Sequence, residues 1–293
     1  MKILILSRNV ELYSTQSLLL AGRKAGHQMR VIDHLFCDLI IDTDHPQIFF
    51  NQVPLEPFDA VIPRIGSTAT DHGAAIIRQF ESMGIYSTVS SPALLNARDK
   101  LTCLQLLSAQ GIPVPKTVLP NAMTSNPTLF KILGTHPLVV KLLNSTQGIG
   151  VILSDTPKNT ETMIEAFQKL REKVIAQEFI QEVNGSDIRI FIIDGEVVGT
   201  MERQALPGEF RSNLHRGANS RKIEVSTEEK EMALKAVKIL GLEVAGVDLL
   251  RSARGPLILE VNASPGLEGI EGTTGLDIAS EIIGLVERRT KSS

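Results

Sequence analysis

Short apolar runs alternate with longer amphipathic stretches along the first hundred residues. Ile3–Leu6 is continuously apolar, Glu11–Ala25 repeats with helical period and is closed by Gly26, and Met29–Ile32 and Asp59–Ile62 are again strand-like, the last ended by Pro63. Parallel strands need crossover connections, so this alternation predicts a doubly wound α/β sheet. The turn after the first strand reads Ser7-Arg8-Asn9-Val10-Glu11. It lacks G-x-G-x-x-G, so no dinucleotide site is expected there.

Beyond this region the pattern is mixed. Asp99 is placed to cap a helix running to about Gln110, with Gly111 as its left-handed stop and Pro113 and Pro115 preventing continuation. Pro137–Leu143 and Gly150–Leu153 read as strands around a small polar loop, Pro157–Leu170 as a helix, and Val174–Ile180 as a strand. Ile188–Ile193 and Glu196–Met201 are joined by Asp194-Gly195, a hairpin signal. Ser226 and Glu229 form a capping box for a helix to about Leu240. Val244–Arg251 and Leu257–Asn262 form a strand pair, followed by a glycine-rich loop and a helix near Leu276–Arg289.

Composition narrows the function classes. The 293 residues are 43% hydrophobic and 22% charged, as in globular chains, and the length suggests two or three subdomains. Thirty basic residues against 33 acidic ones give a net charge of −3, which argues against direct nucleic-acid binding or membrane attraction. No stretch approaches the roughly 18–20 apolar residues a membrane helix needs. Met1–Ser7 reads as a first strand, not a secretory signal. Cys37 and Cys103, the only cysteines, fit a reducing cytoplasmic setting better than a disulfide framework.

The last strand pair carries the most informative chemistry. A three-residue loop, Ala253-Arg254-Gly255, would pair Ser252 with Pro256 and set Asp248 opposite Glu260, with Asn262 on the same face. Directly opposed side chains lie about 5 Å apart, where two carboxylates repel. A hard divalent cation would resolve the repulsion, and two carboxylates with an amide oxygen suit Mg²⁺; a solvated outer face is the alternative. Ser145-Thr-Gln-Gly148-Ile-Gly150 could fold over a polyphosphate or be an ordinary connection. Lys141, a cation in an apolar strand just before it, requires an anion. Lys100 by itself reads as a surface lysine, and Asp187 as a ribose acceptor or a turn residue.

In this order Asp99-Lys100, Lys141, the glycine loop, Glu178, Asp187, Asp248 and Glu260-x-Asn262 resemble the ATP-grasp fold, as does Asn262-Ala-Ser-Pro-Gly266. Arg211-Ser-Asn-Leu-His-Arg-Gly217 is similar to the RimK glutamate ligases, enzymes that add glutamate to the C-terminus of ribosomal protein S-six. Gly217 is followed by Ala218, where relatives often have a second glycine. The resemblance implies a pre-ATP-grasp α/β domain over 1–98 and an ATP-grasp domain over 99–293, with a central lid subdomain at about 112–183 and a C-terminal subdomain at about 184–293. It implies that Lys100, Lys141, Gly148 and Gly150 hold the phosphates of ATP, Glu178 and Phe179 the adenine, mainly through the main chain, and Asp187 the ribose. Arg211, Ser212 and Asn213 would approach the nucleotide, and Arg203 with Arg211 would stabilise the transferred phosphoryl group. Two Mg²⁺ ions, replaceable by Mn²⁺, would sit on Asp248, Glu260 and Asn262. The implied substrates are L-glutamate and the acidic C-terminal tail of a ribosomal protein, with a homo-oligomer left open. Arg203, Arg211, Arg216 and Arg221 form a local basic concentration suited to that tail. The rivals are a ligase acting on a coenzyme or carrier peptide and a non-catalytic ATP-binding regulator.

Overall fold

The computed structural model describes residues 1–121, 131–134, 136–143 and 149–291. The chain opens with β1 (Lys2–Leu6), α1 (Tyr13–Lys24) and β2 (Gln28–Ile32). A small antiparallel meander follows, β3 (Cys37–Ile40), β4 (Gln47–Phe50) and β5 (Val53–Pro54), and then β6 (Ala60–Pro63), α2 (Thr70–Ser82), β7 (Tyr86–Ser87) and α3 (Ser91–Arg98). The sheet is parallel, as the alternation predicted, and its order is β2-β1-β6-β7. The meander was not anticipated, because strands of two to four residues are too short to show a period.

Asp99 caps α4 (Lys100–Ala109), its Oδ1 accepting from the amides of Leu101 and Thr102 at 2.9 and 3.0 Å. Next come β8 (Thr117–Val118), β9 (Leu138–Leu142), β10 (Val151–Ser154), α5 (Pro157–Lys169) and β11 (Val174–Glu178). These strands form an antiparallel sheet, β10-β9-β11-β8, with its own small core of Leu138, Val140, Ile164, Val174 and Ala176.

The largest sheet follows: β12 (Ser186–Ile193), β13 (Glu196–Gln204), β14 (Asn219–Lys222), then α6 (Thr227–Leu240), β15 (Val244–Ser252) and β16 (Gly255–Asn262). Its order is β14-β13-β12-β15-β16, antiparallel throughout. The chain continues into α7 (Glu268–Thr274) and α8 (Ile278–Lys291). Ser226 and Glu229 make the reciprocal capping box expected at the start of α6.

Two cores tie the first sheet to the last. One face of β1 (Leu4, Leu6) shares a cluster with Ile188, Ile190 and Ile192 of β12 and with Ala233 and Val237 of α6. The opposite face (Ile3, Ile5) packs with Phe191, Ile193 and the α8 residues Ile278, Ile282 and Val286. Burial on both faces explains why β1 reads as unbroken apolar sequence.

The hairpin of β15 and β16 departs from the expected turn. Ser252 pairs with Gly255 and Arg251 with Pro256, one residue tighter than predicted. A bulge at Leu259 then restores the register, so Asp248 still faces Glu260. The extra residue offsets the tighter turn.

Candidate active site

Alternation along β12 divides its side chains sharply. Ile188, Ile190 and Ile192 enter one core, while Asp187, Arg189, Phe191 and Ile193 share the other face. That second face is apolar at the α8 end and ionic at the other. Asp187 pairs in register with Arg203 of β13, and Arg189 with Asp248 of β15.

Four side chains there close an ionic network. Arg203 donates through Nε and Nη2 to the two oxygens of Asp187, at 2.7 and 2.6 Å, and its Nη2 lies 2.9 Å from Asp248 Oδ2. Arg189 clamps Asp248 through Nε and, at 2.6 Å, Nη2. Asp187, Arg203 and Asp248 are buried. Burial pushes Asp248 up, but Arg189 and Arg203 outweigh it and hold the carboxyl below its usual range. Asp187, with the single guanidinium and the Ser212 hydroxyl, is driven upward by burial.

This geometry corrects several expectations. Asp187 is a buried partner of Arg203, not an open ribose acceptor. Arg203 spends its fork on Asp187, which leaves Nη1 as the donor with which it could approach a phosphoryl group. Asp248 has both lone pairs of Oδ2 committed to arginine, so only Oδ1 retains capacity for a cation. The basic concentration expected around the arginines is largely neutralised as well. Arg211 forks onto Glu209, pulling that carboxyl down to about 2, and Arg221 pairs with Glu202. Arg189, which sequence reasoning passed over, supplies the second guanidinium on Asp248. Its signal was an arginine two residues from Asp187 on the same strand face.

A second cluster lies where β9 meets β11. Lys141 Nζ donates to Gln177 Oε1 at 2.6 Å, and Gln177 Nε2 donates onward to Thr117 Oγ1 at 2.8 Å. Burial brings the Lys141 ammonium down to about 8, against the opposing pull of Glu260. Lys100 reaches the same place: its Nζ donates to Leu143 O at 3.2 Å, burial lowers its pKa, and Glu260 and Arg98 act on it. The surface reading of Lys100 is therefore superseded by a half-buried one. Glu260 accepts from Asn262 Nδ2 at 3.1 Å. Residues 100, 141 and 260, remote in sequence, thus form a desolvated cluster with more cation than anion.

The loop itself is partly described. Gly148, with residues 144–147, lies outside the described residues. Gly150 has a φ of +65° and closes the loop on β9, where its carbonyl accepts from Leu142 N at 2.9 Å. Arg211 Nη1 donates to Val151 O at 3.3 Å, so the connection after β13 touches the foot of the loop. The Glu178 amide donates to Lys116 O at 3.0 Å, and its carboxylate takes Lys116 N and the Arg254 fork. Phe179 packs edge-on against Phe210, with ring centroids 6.1 Å apart. Ser212 is buried against Asp187, Asn213 precedes the turn Leu214–Arg216, and His215 is exposed.

The donor set fits a hard cation in part. Glu260 and Asn262 offer carboxylate and amide oxygens, and Asp248 offers Oδ1. Among the described residues no group of three or more His, Cys, Asp and Glu side chains is placed to hold a metal, so any ion here would complete its shell with phosphate or water.

Fold and site define an ATP-grasp carboxylate–amine ligase: a small doubly wound domain, an antiparallel sheet bearing the lysine and glycine loop, and a large sheet bearing the acidic hairpin. Residues 1–94 match the RimK PreATP-grasp domain and 97–286 the RimK-like ATP-grasp domain, and the chain belongs to that family. A probable alpha-L-glutamate ligase of Pseudomonas aeruginosa (strain UCBPP-PA14) is 51% identical over 288 residues, 98% of this chain and 96% of the relative. One of Cellvibrio japonicus (strain Ueda107) is 52% identical over 291 residues, 99% and 97% of the two chains. Among solved structures, the ATP-grasp ligase PsnB complexed with a minimal precursor superposes with a TM-score of 0.76, at 22% identity and 98% coverage of both chains. The RimK domain ATP-grasp protein of Sphaerobacter thermophilus DSM 20745 superposes at 0.73, with 19% identity over 97% and 99% of the chains. Among the described residues no helix is long and apolar enough to cross a membrane.

Proposed function

We propose that this ligase joins L-glutamate to the C-terminal carboxylate of an acidic protein tail, that of ribosomal protein S-six being the leading acceptor. The observation that carries the reading is the cation-rich cluster of Lys100 and Lys141 with Glu260 at the foot of the glycine loop. A desolvated excess of ammonium groups suits a polyphosphate. The relatives named as probable alpha-L-glutamate ligases support glutamate as the amine.

In this reading an acceptor carboxylate oxygen attacks the γ-phosphoryl group of ATP, releasing ADP and forming an acyl phosphate. The glutamate amine then forms the amide bond, the carbon–oxygen bond to phosphate breaks, and the amine proton passes to solvent. A carboxylate is a poor electrophile, and phosphorylation supplies its leaving group. The chain contributes position and charge: Lys100 and Lys141 hold phosphates, and the Arg203 network stiffens the wall beside them. Two Mg²⁺, or Mn²⁺ in their place, would rest on Glu260 and Asn262 with Asp248 Oδ1, neutralising phosphate charge.

An α-linked addition to a tail ending in glutamate regenerates the same terminus, so successive additions should form a ladder. Intact-mass analysis of a peptide ending in two glutamates, with ATP and single amino acids as donors, tests this. Equal use of lysine and glutamate, or no extension of the peptide, would refute the acceptor and donor assignments.

A further inference from the structure

Three arginines at the first sheet take no part in the scheme above. Arg8 follows β1, Arg64 follows β6, and Arg98 ends α3. In the order β2-β1-β6-β7 the winding reverses between β1 and β6, and doubly wound sheets take ligands in the crevice at such a point, beyond the strands' carboxyl ends. The segment after Asn262 lies against this crevice. Arg64 Nη2 donates to Pro265 O at 2.7 Å, and Ser264 Oγ lies 3.5 Å from Pro63 O. Arg98 donates through Nη2 to Ile65 O, and its Nε is buried without a hydrogen-bond partner among the described residues. Arg8 Nη1 donates to Thr68 Oγ1 at 2.8 Å.

These arginines differ from those of the large sheet. Arg189, Arg203 and Arg211 each fork onto a carboxylate. Arg8, Arg64 and Arg98 have no carboxylate ion-pair partner among the described residues; their hydrogen bonds go to carbonyls and one hydroxyl. Burial and the like charge of Arg98 pull the Arg64 guanidinium down to about 10. Burial also lowers Arg98, with Glu260 the nearby charge opposing it. Arg98 bonds the carbonyl next in sequence to Arg64, so two half-buried guanidiniums repel each other there, and an anion between them would relieve both repulsion and desolvation. Planar forks suit a carboxylate bidentately.

We infer that Arg64 and Arg98, with Arg8 at the mouth, form a subsite for a carboxylate that the substrate carries but the enzyme does not activate. The inference rests on the ligase reading and specifies its substrate pocket. Because Arg98 ends α3 two residues before Lys100, a carboxylate held there lies beside the cluster where the acyl phosphate would form. Two sources share this chemistry: a carboxylate of the incoming glutamate, or an acidic residue near the end of the acceptor tail.

Initial rates with ATP, L-glutamate and a peptide ending in two glutamates, each varied separately, distinguish them. Arg98→Gln and Arg64→Gln should raise the KM of one carboxylate substrate by about tenfold or more, the loss of a charge-assisted fork, while the KM for ATP stays within about twofold. A rise for glutamate alone identifies the donor, and a rise for the peptide alone the acceptor. Unchanged KM for both, or an equal rise for ATP, overturns the subsite. If the Arg64 and Arg98 variants fail to fold, Arg8→Gln at the exposed mouth decides by the same criterion, with an expected rise of about two- to fivefold. Calorimetric titration of wild type and Arg8→Gln with each ligand is independent of turnover: weaker binding by the variant supports the subsite, and equal affinity or no binding to wild type overturns it. Binding by wild type without amino-acid-dependent phosphate release would sink the ligase reading and leave the subsite standing.

Discussion

Replacing Arg203 with methionine isolates what the buried ionic network contributes. Asp187 has Arg203 as its one ion-pair partner among the described residues, whereas Asp248 is held by both Arg189 and Arg203. Arg203→Met therefore leaves Asp187 buried with only the Ser212 hydroxyl, while Asp248 keeps the Arg189 fork. Stranding a buried carboxylate costs about 3–5 kcal/mol. Arg189→Met leaves both carboxylates in contact with the one shared guanidinium of Arg203, so neither is stranded, and should cost less, about 1–3 kcal/mol. Combining Arg203→Met with Asp187→Asn removes the stranded charge, so the double variant should recover about 2 kcal/mol relative to Arg203→Met. Urea unfolding followed by circular dichroism at pH 7.5 measures all three. The pH dependence supplies an independent check. Asp187 is already raised by burial, and losing Arg203 raises it further above its unfolded value. The penalty is absent where the carboxyl is protonated in both states and grows as pH rises through the folded pKa. The difference between Arg203→Met and wild type should therefore shrink as pH falls from 7.5 towards 5. A loss below about 1 kcal/mol, equal losses for the two arginine variants, or a deficit that grows in acid would refute this account.

Other variants probe the site itself. Glu260→Gln removes a charge that forms no ion pair among the described residues, so folding should survive while phosphate release collapses; retained turnover would exclude Glu260 as a cation ligand. Asp248→Asn should lose stability as well as activity, because it strips the anion from two arginines; an unchanged urea midpoint would contradict the clamp. Lys141→Ala should weaken ATP binding by about 2–4 kcal/mol in calorimetry. With the ammonium titrating at about 8, wild-type affinity should fall between pH 7 and 9, whereas a flat profile would place phosphate elsewhere. Gly246→Ala puts a methyl 2.9 Å from Pro265 Cβ and 3.1 Å from Arg189 Cδ, so it should destabilise by about 1–3 kcal/mol; a neutral effect would mean that the loop after Asn262 yields easily.

Several features of the site were legible because they are local. Asp99 caps the helix beginning at its neighbour, and Ser226 with Glu229 caps another across three residues. Lys141 stood out as a cation within an apolar strand. The opposition of Asp248 and Glu260 followed from alternation, although the turn assumed for it was one residue too long and a bulge made up the difference. Arg189 escaped notice because its meaning depends on Asp248, 59 positions away. Gln177, the acceptor for Lys141 on the neighbouring strand, was hidden for the same reason.

The sequence by itself determined the alternation of strands and helices, their caps, the side of each strand on which a charge falls, and the motif order that marks the family. Those properties are set by periods of two and 3.6 residues and by hydrogen bonds spanning three or four positions. Only the tertiary structure decided how the charges are shared. Asp187 and Asp248 read as nucleotide and metal contacts along the chain, yet in the fold they neutralise Arg203 and Arg189. Arg64 and Arg98, ordinary in sequence, are brought together without a carboxylate. Ion pairing depends on distance and burial between strands far apart in the chain, and spacing along one strand carries no record of either.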